Sequence, residues 1–261
     1  MFPIAHLWLL ERVVSEVTDA HRIGAVWPDM LFGAPLTHGE SHQRGAELLA
    51  FARGHGDDRE FAAFVTGVIT HGSDPHGFDW YSDECYGGAP LAEKGYAFQR
   101  GRPLAPAVAA ACGLPPVDGP WKAHNIVEMA FEPALHAAEP SLADGFAAAC
   151  ADRALVKRIA ARLAAFYHRP AHRLAGAILG FAAWWVAPTS EDALAGVYAR
   201  QVRLKHAGAS PDPAAIGQLI GEAGAIIAGD RDVYLTGCVA AVGELLGSLG
   251  LATERRATDP R

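Results

Sequence analysis

Residues 57–79 read DDREFAAFVTGVITHGSDPHGFD and join a strong helix signal to a run of metal-type ligands. Asp57-Asp58 offers an N-cap, and the apolar residues after it recur at helical spacing. This pattern predicts a helix from Arg59 to about His71. The last nine residues of the stretch supply four His and Asp side chains, namely His71, Asp74, His76 and Asp79.

Most other segments repeat the helical spacing of apolar residues. Ala and Gly are abundant, β-branched runs are few, and no alternation over four or more residues indicates a strand. We therefore expect an all-α protein. Helices are predicted over residues 5–21, about 41–53, 59–71, parts of 91–113, 121–138, 141–150, 152–167, 170–187, 190–206, 212–228 and 230–250. Residues 24–42 and 72–90 are predicted to be loops, and Pro133 is expected to kink or end its helix.

The composition is that of a folded protein, with 261 residues, 51% hydrophobic and 20% charged. We expect one domain over residues 1–251, with the ligands in 1–135 and supporting helices over 141–250, followed by a disordered tail at 252–261. The net charge of −7 argues against an extended nucleic-acid-binding surface. The four cysteines form no CxxC pair, which argues against a disulfide framework or a thiolate zinc site.

The start of the chain is apolar only as far as Leu10 and lacks a basic leader, unlike a signal peptide. The most apolar segment, residues 174–187, is shorter than the roughly 20 residues that a membrane-spanning helix needs. We therefore expect a cytoplasmic protein without a transmembrane segment. The sequence does not indicate an oligomeric state.

Further His and carboxylate residues lie in the first half of the chain. His124 and Glu128, in HNIVE, are four apart and so share one face of a helix. Histidines and carboxylates in such numbers are typical of sites that bind two or three zinc ions and leave a position open to water. The predicted metal ligands are His6, Asp29, one of His38 and His42, His71, Asp74, His76, His124 and Glu128, with Asp74 as the bridging carboxylate.

In their order these residues resemble the zinc-dependent phospholipase C family, which is related to the zinc-dependent single-strand nucleases. His6 fits the family's early His, and Asp29 in Trp27-Pro28-Asp29 fits its Asp after a Pro. His38 or His42 fits the next His. The central group fits His71, Asp74 and His76, and the final His-x3-Glu pair fits His124 and Glu128. The similarity covers residues 1–135 and includes His76-Gly77-Phe78-Asp79-Trp80-Tyr81, which resembles a His-Pro-Phe-Ile-Asp-Tyr segment of bacterial members.

The central spacing is shorter than in secreted members of that family. This chain has His-x2-Asp-x-His where they have His-x3-Asp-x5-His, so Asp79 is an alternative to Asp74 as the carboxylate ligand. The resemblance implies a multi-helix phospholipase C/nuclease-like bundle with two or three zinc ions. It implies hydrolysis of a small phosphoester or phospholipid by a metal-activated water, with Asp29 or Asp79 as base. Four aromatic residues are expected to line the substrate entrance, namely Phe78, Trp80, Tyr81 and Tyr86.

A different class of function is a non-catalytic helical protein in which the metal is structural and the aromatic loop binds a ligand or partner. Structural zinc sites are usually closed and rich in Cys, whereas this ligand set contains only His and carboxylates, which favours the hydrolase. An HD-type phosphohydrolase needs a His-Asp dipeptide, and a ferritin-like di-iron bundle needs Glu-x-x-His pairs. The sequence contains neither.

Overall fold

The computed structural model describes residues 3–30, 36–85, 94–184 and 190–251. Within these ranges the protein is all-α, as predicted, with fourteen α-helices and no strand. Tyr86 and the tail at residues 252–261 lie outside the described residues. The helices are α1 (Pro3–Val13), α2 (Asp19–Val26), α3 (His38–His42), α4 (Gly45–Gly54), α5 (Arg59–His71), α6 (Tyr96–Gly101), α7 (Ala105–Cys112), α8 (Gly119–Ala138), α9 (Ser141–Ala151), α10 (Arg153–Tyr167), α11 (Ala171–Trp184), α12 (Glu191–Lys205), α13 (Pro213–Ile227) and α14 (Arg231–Ser248).

Helix α5 begins and ends where the sequence predicts. The side chain of Asp58 accepts a hydrogen bond from the backbone N–H of Phe61 at 3.0 Å, which is the capping contact expected of an Asp at this position. Gly72 then leaves the helical conformation, with φ −65° and ψ 178°. As a result His71 lies in the last turn of α5, at the edge of the segment that carries the other ligands.

Several local predictions differ from the structure. The helix expected over residues 5–21 is two helices, because the Thr18 N-cap starts α2 anew. Pro133 does not end its helix, because it lies inside α8, which continues to Ala138 and is buried on both sides of the proline. The loop expected over residues 24–42 contains the end of α2, a 3₁₀ turn at Trp27–Asp29 and the short helix α3. A reciprocal capping pair between Thr37 and Glu40 starts α3, a signature that the sequence T-x-x-E carries.

Helices α2 and α5 cross with their backbones in direct contact. A Cβ atom on Gly24 would lie 2.0 Å from the carbonyl oxygen of Phe64, and one on Gly67 would lie 2.3 Å from that of His21. Only glycine fits at such an approach. The crossing holds the 3₁₀ turn that carries Asp29 beside the C-terminal end of α5, which carries His71.

Helices α1, α6, α8 and α14 surround the same region from the other side. The side chain of Glu132, fully buried in α8, accepts hydrogen bonds from the backbone N–H groups of Ile4 at 3.1 Å and Ala5 at 2.8 Å. The ring of Tyr234 in α14 stacks on that of Tyr96 in α6, with centroids 4.0 Å apart. Among the described helices, none combines the length and apolar character needed to cross a membrane.

Candidate metal centre

The first cluster of possible ligands lies where α3, α5 and two loop carboxylates meet. The Nε2 atom of His42 lies 3.4 Å from Oδ2 of Asp79 and 3.5 Å from Oδ1 of Asp29. The Nε2 atom of His71 lies 3.1 Å from Oδ2 of Asp79 and 4.0 Å from Oδ2 of Asp29. Both imidazoles therefore direct one nitrogen at the same two carboxylates, in a part of the protein where His71 is fully buried.

His6 from α1 completes this cluster. Its ring stacks on that of His71 with centroids 3.6 Å apart, and its Nε2 atom lies 3.5 Å from Oδ1 of Asp79. Two groups of three residues place one ligand atom each within 4.8 Å of the others, the first made of His6, Asp29 and His71, and the second of His42, His71 and Asp79. Because His71 belongs to both groups, the five residues form one continuous site.

A second cluster lies on α8 and the π-helical turn Trp80–Glu84. Asp83, His124 and Glu128 form the third group whose ligand atoms lie within 4.8 Å of one another. The Nε2 atom of His124 lies 3.9 Å from Oε2 of Glu128 and 4.0 Å from Oδ1 of Asp83. Phe98 stacks on the His124 ring at 4.4 Å, and Trp121 meets it edge-on at 4.6 Å. These aromatic neighbours fix the orientation of the imidazole.

Backbone carbonyl groups orient two of the three histidines of the first cluster. Nδ1 of His71 lies 2.6 Å from the carbonyl oxygen of Ala25, and Nδ1 of His42 lies 3.2 Å from that of His38. A carbonyl oxygen only accepts, so each Nδ1 donates its proton and each Nε2 presents a lone pair to the carboxylates. An N–H group bound to a carbonyl oxygen is the usual support of a metal-binding histidine.

Burial favours the form of imidazole that metal binding requires. It lowers the pKa of His42 and of His124 to about 3, and that of His6 well below its usual value, so these imidazoles are neutral. Neutral imidazole and ionised carboxylate are the forms that bind metal ions.

The second cluster brings two carboxylates together in a buried position. Burial raises the pKa of Asp83 well above its usual value, and the neighbouring charge of Glu128 raises it further. The pKa of Glu128 is also raised, again chiefly by burial. Oδ1 of Asp83 has no hydrogen-bond partner among the residues that the structure describes. A cation between the two carboxylates would relieve both their repulsion and this unsatisfied oxygen.

The structure brings together most of the residues predicted as ligands but separates two of them. His6, Asp29, His42 and His71 join Asp79 in the first cluster, and His124 and Glu128 meet in the second. His38 stacks on His42 with ring centroids 3.9 Å apart and lines the adjoining pocket, but it is in none of the three groups.

Asp74 and His76 do not converge with the other predicted ligands. Helix α5 ends at His71, and the chain then turns away, so both residues line an open groove that also contains Glu244. The His76 ring stacks on Trp80 at 3.7 Å. Asp79 therefore occupies the central position that the sequence suggested for Asp74.

The pocket beside the two clusters has a volume of about 250 Å³. Carboxylates of both clusters line it, together with His38, His42 and His124. The opposite wall is one face of α12, formed by residues at helical spacing, namely Tyr198, Gln201, Val202 and Lys205. Sequence reasoning missed this wall, because the second half of the chain carries no ligand motif.

Three of the aromatic residues expected at the entrance are described, and none of them lines this pocket. Phe78 is buried against the His6 ring at 5.4 Å, and Tyr81 lines the open groove near Glu244. Trp121, which is 47% exposed, lines the pocket instead. Asp83 was also missed, although it lies four residues after Asp79, a spacing that would have indicated one face of a helical turn.

Comparison of the chain with protein-family models, with curated proteins and with solved structures gives no match. The site therefore has to be interpreted from its own geometry. That geometry is a pair of buried His/carboxylate clusters, suited to metal ions, that open onto one pocket.

Proposed function

We propose that this protein is a zinc-dependent hydrolase of phosphoester bonds, similar to the phospholipase C family in its ligand set, and that its substrate is a small phosphoester. The observation that carries the proposal is the spacing of the ligand atoms in the first cluster. Zinc bonds of about 2.0–2.2 Å at tetrahedral angles separate neighbouring ligand atoms by about 3.4 Å.

The measured separations in the first cluster lie close to that value. They are 3.4 and 3.5 Å from His42 to Asp79 and Asp29, and 3.1 Å from His71 to Asp79. Most of these distances exceed the roughly 2.7–3.2 Å of an N–H···O hydrogen bond. These separations fit coordination of a shared cation better than they fit direct hydrogen bonds between the side chains.

The two clusters together suit two ions. His42, His71, Asp29 and Asp79 would hold one ion, with His6 in reach, and Asp83, His124 and Glu128 would hold the other. Zinc bound there supplies a Lewis acid and activates water near neutral pH. Oxygen and nitrogen ligands without Cys are also compatible with other divalent metals.

The roles of the chain's own residues follow from their distances. Asp79 lies within 3.5 Å of three imidazoles, those of His6, His42 and His71, and would be fully engaged as a ligand. Asp29 would share the same ion and also lines the pocket, where a substrate and its attacking water would lie. We assign to Asp29 the acceptance of the proton from the attacking water.

A structural metal site in a binding protein is the alternative. Two features favour the hydrolase over it. The clusters open onto a pocket, whereas structural zinc sites are closed and mostly built from Cys. The pocket is lined by charged and amide side chains, which suit a polar substrate rather than a protein helix.

The test is a hydrolysis screen on the full-length protein with 4-nitrophenyl phosphate, bis(4-nitrophenyl) phosphate and 4-nitrophenyl phosphorylcholine. Activity should be lost on chelation and should return with added zinc. His71→Ala and Glu128→Ala should each lower kcat/KM by about 100-fold or more, because each removes a ligand.

His172→Ala is the matched control, since His172 is exposed on α11. It should behave as the wild type. A protein that binds zinc at both clusters but hydrolyses none of these esters would contradict the hydrolase and favour the structural-metal alternative.

A further inference from the structure

The pocket beside the metal clusters is lined by side chains of opposite charge. Four carboxylates line it, from Asp29, Asp79, Asp83 and Glu128, and so do two lysines, Lys122 and Lys205. The sequence contains only four lysines, at positions 94, 122, 157 and 205. Half of them therefore lie in a pocket of about 250 Å³.

Lys122 is an unusual residue for its position. It is only 8% exposed, and neither it nor Lys205 forms an ion pair with a carboxylate of the described residues, whereas Lys94 pairs with Glu84 at 3.4 Å. A buried ammonium group without a counter-ion is costly, and proteins usually pair such groups. The missing counter-ion can be supplied by a ligand in the pocket.

The wall of α12 adds further polar groups to the pocket. Gln201 is 4% exposed, lines the pocket, and has a side-chain oxygen without a hydrogen-bond partner among the described residues. Gln201 and Lys205 are four residues apart and therefore share one face of α12. Lys205 is exposed, so the pocket is accessible from solvent at this residue.

Charge neutralisation points to the kind of ligand. Two divalent cations at the proposed centre would balance the four carboxylates that line the pocket. The two lysines would then leave the pocket positive overall, and neither forms an ion pair with a carboxylate of the described residues. This excess positive charge favours a ligand with more than one anionic group.

We infer that the pocket binds phosphoesters that carry a second anionic group, a phosphate or a carboxylate, held by Lys122 and Lys205 while the scissile phosphate lies at the metal clusters. This inference rests on the proposed function and names its substrate class. The pocket is slightly below the range of about 300–1,000 Å³ common for small-molecule sites, which suits a compact doubly charged ester.

The test compares two non-hydrolysable ligands of equal chain length by isothermal titration calorimetry. Propylphosphonate carries one phosphonate and propane-1,3-diphosphonate carries two, each joined by a P–C bond that a phosphoester hydrolase does not cleave. The zinc-loaded wild type should bind the diphosphonate at least about tenfold more tightly, because the second anionic group forms charge-assisted hydrogen bonds with ammonium groups. Lys122→Gln and Lys205→Gln should each reduce this preference to threefold or less.

Lys157→Gln is the matched control, because Lys157 is exposed on α10 and is not a pocket residue. It should keep the full preference. Since Lys122 is buried, its variant is checked by circular dichroism, and the exposed Lys205 provides the test if the Lys122 variant does not fold.

Equal affinity for the two ligands in the wild type, or an unchanged preference in Lys205→Gln, would overturn the inference. If zinc strengthens both ligands equally in the wild type and in the lysine variants, only the pocket inference fails. If the protein binds no zinc, or zinc changes neither affinity, the proposed function and the inference fail together.

Discussion

Glu132 joins the helix that carries His6 to the helix that carries His124 and Glu128. Its fully buried carboxylate accepts hydrogen bonds from the backbone N–H groups of Ile4 and Ala5, in the first turn of α1. These N–H groups have no partner within the helix itself, so the carboxylate acts as a cap supplied by another element.

Glu132→Ala should leave both N–H groups buried and unsatisfied. Each such group costs about 1–3 kcal/mol, so we expect a loss of roughly 2–6 kcal/mol of unfolding free energy. A protein of about 250 residues loses roughly 2–4 °C in Tm per kcal/mol, which gives a decrease of about 4–24 °C. Glu132→Gln keeps one acceptor oxygen and should lose less.

The assay is thermal unfolding of the metal-free protein followed by circular dichroism. Glu222→Ala is the matched control, because Glu222 is exposed on α13 and its removal should change stability by no more than about 0.5 kcal/mol. A Tm for Glu132→Ala within 2 °C of the wild type would refute the capping role.

The same carboxylate predicts a pH dependence. Burial raises the pKa of Glu132 to about 7, so the folded protein holds this proton to higher pH than the unfolded chain, whose Glu pKa is about 4.3. Its contribution to stability therefore decreases as the pH rises from about 4.3 through about 7. Glu132→Gln should remove this decrease. If the stability of the variant depends on pH as that of the wild type does, Glu132 is not the group responsible.

Three further predictions concern the second cluster, the buried histidines and the crossing of α2 and α5. Asp83→Asn removes one of two repelling carboxylates, so the metal-free variant should be at least as stable as the wild type while gaining less Tm on zinc addition; an unchanged zinc effect would contradict the second cluster. Burial lowers the pKa of His42 and of His124 to about 3, so the metal-free protein should lose stability as the pH falls from about 6.5 towards 3. Urea unfolding at a series of pH values measures this loss. An unfolding free energy that does not change with pH over this range would contradict the burial of these imidazoles. Gly67→Ala should separate α2 from α5 and cost about 1–3 kcal/mol in the same assay, whereas Gly221→Ala, where a Cβ meets no other atom within 4 Å, should be neutral or stabilising.

Local signals in the sequence were sufficient to predict those features of the structure that depend on residues close together in the chain. The Asp58 cap and the apolar spacing after it predict α5 closely, and the i, i+4 spacing predicts that His124 and Glu128 share a face of α8. Both features depend on residues within one or two turns. The all-α fold class follows from the same kind of signal repeated along the chain.

The sequence did not predict features that depend on distant contacts. The separation of Asp74 from Asp79 follows from the turn after α5, and the approach of α2 to α5 depends on two glycines 43 positions apart, Gly24 and Gly67. The face of α12 shows helical spacing, but nothing in its sequence says which helix it meets. Residue spacing predicts which side chains share a face, while packing decides what that face contacts.

Zinc-edge anomalous diffraction from crystals grown with zinc tests the central claim most directly, because it locates each ion relative to its ligands. We expect two strong peaks, one about 2.0–2.2 Å from Nε2 of His42, Nε2 of His71 and an oxygen of Asp79, and the other at that distance from Nε2 of His124 and an oxygen of Glu128. Both peaks should disappear or weaken in crystals of ligand variants of their own cluster. Empty clusters, or zinc only at surface histidines such as His172, would contradict the metal centre and the function proposed from it.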